Sequence, residues 1–176
     1  MIERAAEALA RRIHQANEKE TASIPVMKFA LVGLFNNTLT FLLIMAAGWL
    51  MDMLREACLA FAAFMFLRIF AGGFHFHSSR TCTVVSVASI VAVTILSPYI
   101  TKTQTLIITG VSLLLVAAFA PSNIRKTRIK PSWRPWYKLA SVLIVASNFL
   151  WQSPLLALVF FLQAISTFEI DGRKES

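Results

Sequence analysis

Charge is scarce in this chain of 176 residues. Charged side chains make up 15% of it and hydrophobic ones 57%, with a mean hydropathy of +0.66. That is far more apolar side chain than a soluble domain of this size buries, so the sequence reads as an integral membrane protein. Acids are scarcer still: nine Asp and Glu stand against 17 Lys and Arg, for a net charge of +8. With two cysteines in all, a structural disulfide framework is not expected in a membrane protein facing the cytoplasm. No Gly- or Ser-rich linker divides the chain and no internal repeat is evident, so one membrane domain is expected. A secretory signal is missing too. The start, "MIERAAEALARRIHQANEKE", is charged throughout, and the N-terminus is expected to be retained.

What is present is a series of apolar runs at about 29–51, 54–71, 82–100, 104–120, 137–152 and 154–170, where about 20 residues is the ideal length for a span. They predict about six transmembrane helices. The fifth is the shortest and ends at the turn "QSP", which suggests a tight hairpin with the sixth. Ahead of them, Ile2, Ala5, Ala6, Leu9, Ile13 and Ala16 recur at three- and four-residue spacings among Arg4, Arg11, Arg12 and Lys19. This predicts an amphipathic helix on the membrane surface, in which His14 has no evident partner.

The basic residues set an orientation. "PSNIRKTRIKPSWRPWYK" holds Arg125, Lys126, Arg128, Lys130, Arg134 and Lys138 without an acid, whereas the third-to-fourth connection offers only Lys102 and the fifth-to-sixth none. The basic loop is therefore expected in the cytoplasm. Counting spans places both termini and the joint between the second and third spans there as well. Positive charge split among membrane-proximal loops reports topology and argues against nucleic acid as a partner.

That joint, "RIFAGGFHFHSSRTC" from Arg68 to Cys82, gathers most of the chemistry-bearing side chains. Gly72 and Gly73, each costing about 1 kcal/mol in a helix interior, are expected to end the second span. Ser78, Ser79 and Thr81 are candidate N-caps for the third. Cys82 then falls in that helix's first turn, where the helix dipole and Arg80 favour a thiolate. His75 is a candidate base. On one continuous helix it would lie roughly 10 Å from Cys82, so the chain must fold back between them, which the glycine pair permits. His77 competes for the same role. Cys58, in "EACLAFAAF", reads as a small hydrophobe. Arg68 is costly at membrane depth unless it snorkels. Asn36 and Asn37, inside the first span, either orient a histidine or hydrogen-bond between helices.

The same stretch resembles the signature of the accessory gene regulator B (AgrB) family, membrane cysteine endopeptidases that process quorum-sensing propeptides in Gram-positive bacteria. Arg68, Gly72, Gly73, His75 and Cys82 match it in kind and spacing, and "FAPSNIRKTRIK" is similar to the family's Ala-Pro followed by a basic loop. The resemblance implies Cys82 as nucleophile and His75 as its partner; for the oxyanion, the leading candidates are backbone N–H groups at the start of the third span, with Arg68 or Arg80 as electrostatic support. It implies cleavage of a propeptide on the C-terminal side of its signal segment through an acyl-enzyme thioester, then cyclisation to a thiolactone or lactone, without metal or other cofactor. The implied partner is a short, amphipathic, AgrD-like propeptide whose acidic C-terminal tail would meet Arg125, Lys126, Arg128 and Lys130. A homodimer in the lipid bilayer is compatible with it. The expected organisation is an interfacial helix over 1–24, a polytopic membrane peptidase domain over 25–170 and a cytoplasmic tail over 171–176, in the bacterial cell membrane.

Two other classes fit parts of the sequence. A small peptide or ion transporter would use His75 and His77 as a proton relay, although the other spans hold almost no ionisable residue near their middles. A metal-handling protein would use the H-x-H and Cys82, three groups without a clear fourth ligand.

Overall fold

The computed structural model describes residues 2–16, 21–73, 79–122 and 131–167, and within them it is all-helical. The helices are α1 (Ile2–Ala16), α2 (Ile24–Leu50), α3 (Leu54–Ala71), α4 (Ser79–Leu96), α5 (Lys102–Phe119), α6 (Arg134–Trp151) and α7 (Pro154–Ser166), with short 3-10 turns at Ser97–Tyr99 and Pro131–Trp133. Among the described residues, three stretches are long and apolar enough to cross a bilayer: α2, Arg80–Tyr99 and α5. Over the described residues, the other three apolar runs carry charge or are shorter. Helix α3 carries Arg55, Glu56 and Arg68, α6 carries Arg134 and Lys138, and α7 has 13 residues, roughly 20 Å of rise against a hydrocarbon core of about 30 Å.

Helix α3 is the centre of the bundle and packs against α2, α4, α6 and α7. Its buried residues Ala57, Ala60, Phe64, Leu67 and Ala71 repeat every three or four positions, one continuous stripe. They join a core that includes Ile44, Ile90, Val116, Val145, Val159 and Phe160. Small residues let backbones close in. A Cβ on Gly48 would lie 2.6 Å from that of Ala57, so α2 and α3 meet where neither has a side chain to spare. The outward faces are apolar, with Leu114 and Leu150 largely exposed, as suits a lipid solvent. Trp49, Tyr99 and Trp151, also exposed, close α2, the turn after α4, and α6. Aromatic rings at helix ends suit a membrane–water interface.

Helix α1 forms as expected, but it folds back on α2 and is not a free surface helix. Ala6 and Ala10 are fully buried, while Leu9 and Ile13 stay partly exposed. Glu7 clasps the pair: its carboxylate accepts from Lys28 Nζ at 2.6 Å and from Arg11 Nη2 at 2.9 Å. The Lys28 ammonium first, and then the Arg11 guanidinium, pull the Glu7 carboxyl down to about 2. His14 has a partner after all, since its Nδ1 lies 2.9 Å from Thr21 Oγ1 in the following turn. The expected α6–α7 hairpin is present. Gln152 turns the chain in a left-handed conformation, and Asn148 receives the Ser153 N–H.

Candidate functional site

The site is built where three helices end and one begins. Helix α3 stops at Gly72, whose φ of +74° is a conformation that favours glycine. Gly72 N–H closes the helix on Arg68 O at 3.0 Å. The glycine pair also serves a close approach that its helix-breaking character does not reveal. A Cβ on Gly72 would collide with the Ser122 carbonyl oxygen, and one on Gly73 would sit 2.9 Å from Ser166 Oγ and 3.1 Å from Gln163 Nε2. Ser122, three residues past the end of α5, donates its N–H to Ala71 O at 3.0 Å. Gln163, two turns from the start of a last apolar helix and fully buried, donates Nε2 to Gly72 O. The glycine motif and the start of the Ala-Pro motif, far apart in sequence, therefore meet through their backbones.

Cys82 is the fourth residue of α4, at the close of its first turn, and is partly buried. The helix begins at Ser79, so Thr81 lies inside it and is not a cap. Arg68, in the last turn of α3, is half-buried, with Cζ 5.5 Å from the centre of the Phe64 ring. It lies in the part of α3 that ends at the glycine pair, and α3 packs against α4, the helix that carries Cys82. Arg80 is exposed, and a two-residue offset on a helix does not put it on the Cys82 face. The next residue, Thr83, is buried and donates Oγ1 to Asn36 Oδ1 at 2.7 Å, tying the start of α4 to α2. Asn36 thus makes the interhelical hydrogen bond that was one of its two expected roles, one residue from the thiol, whereas Asn37 is exposed. Cys58 is exposed on α3.

His75 and His77, and the loop cations Arg125, Lys126, Arg128 and Lys130, lie outside the described residues. Gly72 and Gly73, Arg68 and Cys82 are brought to one end of the bundle. Gln163 and Ser122 escaped the sequence reading. A signal for Gln163 existed, since it is a lone amide in "PLLALVFFLQAIS", and a polar side chain in an apolar membrane helix is presumed to have a partner.

Comparison with known proteins bears on the family of the chain. The family profile of accessory gene regulator B matches residues 2–168. A protein of Halalkalibacterium halodurans described as AgrB-like is 33% identical over 93 residues, 53% of this chain. The match spans about half of that relative, 47% of its length. No solved structure matches. With nearly the whole chain inside the family profile, and the glycine pair, Arg68 and Cys82 gathered at one end of the bundle, the chain belongs to the accessory gene regulator B family.

Proposed function

We propose that this chain is a membrane-embedded cysteine endopeptidase that cleaves a quorum-sensing propeptide and promotes its cyclisation. The observation that carries the reading is the packing of α3, whose last turn holds Arg68 and ends at the glycine pair, against α4, whose first turn holds Cys82. A helix N-terminus and a neighbouring cation are the surroundings that activate a thiol. Cys82 sulfur attacks the carbonyl on the C-terminal side of the signal segment. His75 takes the thiol proton and returns it to the leaving amine as the acidic tail departs, which leaves a thioester on Cys82. A cysteine or serine within the bound peptide then attacks that thioester and frees the enzyme, closing a thiolactone or lactone ring. Arg68 and backbone N–H groups at the start of α4 stabilise the tetrahedral oxyanion.

All six apolar helices α2–α7 cross the bilayer in this reading. The charges of α3 sit in its first and last turns, where long side chains reach the interface, and its flanks are covered by four neighbouring helices. The site and both termini face the cytoplasm of the cell, and the basic loop after Ser122 receives the acidic tail of the propeptide. The test is a pair of substitutions assayed by coexpression with a candidate short AgrD-like propeptide. His75→Ala is expected to abolish cleavage and His77→Ala to retain most of it; the opposite result would move the base to His77.

A further inference from the structure

Most buried hydroxyls of the bundle satisfy themselves. Thr94, Thr105, Thr109, Ser112 and Ser141 each donate to the carbonyl four residues back. Two buried amides behave otherwise. Asn148 uses both ends of its amide, donating to Thr109 Oγ1 at 3.0 Å and to Ser153 O at 3.1 Å and accepting from Ser153 N–H at 3.1 Å. Gln163 is equally enclosed but half used. Its Nε2 donates to Gly72 O, whereas among the described residues its Oε1 is buried without a hydrogen-bond partner, as is Oγ of Ser122, whose backbone lies against Gly72. Leaving an enclosed acceptor unpaired is unfavourable, so a side chain kept there in spite of it is held for what its other end does.

That other end holds the carbonyl at which the chain leaves α3. Gly72 is gripped on both sides of its peptide unit: its N–H is bonded to Arg68 O and its carbonyl to Gln163, while Gly73 packs directly beneath the Gln163 amide. We propose that Gln163 is a positioning residue for the reaction at Cys82. It acts through Gly72, fixing the backbone at the end of α3 and with it the last turn that carries Arg68. It touches neither the nucleophile nor the substrate. This inference rests on the peptidase reading above.

The test uses the full chain in lipid nanodiscs with a synthetic AgrD-like propeptide that the wild type cleaves. Gln163→Leu is expected to lower kcat at least ~10-fold with KM within about threefold, because it misplaces reacting groups without removing substrate contacts. Its Cys82 should still react with iodoacetamide at the wild-type rate, since the start of α4 is tied separately through Thr83 and Asn36. Asn148→Leu, which removes the bundle's other enclosed amide, is expected to lower thermal stability without a selective loss of kcat. Gln163→Glu should turn over near the wild-type rate while its carboxyl is protonated and donates to Gly72 O, then lose activity as pH rises through its ionisation. Wild type lacks that limb. Wild-type kcat in Gln163→Leu, an equal kcat loss in Asn148→Leu, or a wild-type pH profile in Gln163→Glu would overturn the proposal. Should the Leu variant fail to accumulate, the pH limb of the Glu variant decides alone. Full processing by Cys82→Ala would overturn the underlying peptidase reading, whereas an inactive Cys82→Ala beside a fully active Gln163→Leu would overturn only the positioning role.

Discussion

At the scale of single residues, the two cysteines make the sharpest contrast. Cys58 is exposed on α3, whereas Cys82 is partly buried in the first turn of α4, a helix packed against the one that ends with Arg68 and the glycine pair. Iodoacetamide in mild detergent is therefore expected to modify Cys82 faster than Cys58 despite its lower exposure, and a rate ratio near one would count against an activated thiol. Gly72 makes a second contrast, because two independent demands fall on one position. Its φ is positive, and a Cβ would meet backbone, not a side chain that can move aside. Gly72→Ala is expected to cost about 2 kcal/mol or more in unfolding experiments in detergent, and to reduce processing even where the protein still folds. The residue types of this site were legible in the sequence: a glycine pair ends a helix, and Cys82 opens the next one. The partners were not. The bond from Gln163 to Gly72 spans 91 positions, and neither residue's neighbours in the chain announce the other.

At the scale of elements, hydrophobic runs located the helices well because lipid demands continuous apolar segments. Helix α3 covers the expected 54–71 to the residue. Where the apolar signal was diluted by polar residues, the ends moved. Helix α2 starts at Ile24 and not near residue 29, since Lys28 is neutralised by Glu7 of α1, and α4 starts at Ser79 because its first polar residues are tolerated in a first turn. The α1–α2 clasp carries a pH dependence with a definite sign. The Glu7 carboxyl is lower in the folded chain, about 2, than its ordinary 4.5, so the stabilisation is full above 4.5 and is lost as pH falls toward 2. Distances between spin labels on α1 and α2 should broaden across that acid window in the wild type and stay unchanged in Glu7→Gln. An identical response in both would take Glu7 out of the clasp.

At the scale of the whole molecule, the asymmetry of charge links topology to substrate capture. The segment after Ser122 holds Arg125, Lys126 and Arg128 with no acid, and the substrate of the proposed reaction ends in an acidic tail. Changing those three residues to Glu is expected to impair cleavage of the native propeptide and to be partly rescued when the tail acids become lysines. Cleavage undiminished by the charge reversal, with insertion intact, would leave the loop to anionic lipid alone. The central claim, an acyl-enzyme on Cys82, is tested most directly by the intact mass of the protein after incubation with a propeptide whose ring-closing cysteine is changed to alanine. A hydroxylamine-sensitive adduct with the mass of the leader-plus-signal fragment is expected in wild type and Cys58→Ala, and neither adduct nor released tail in Cys82→Ala. Release of the acidic tail by Cys82→Ala would contradict it.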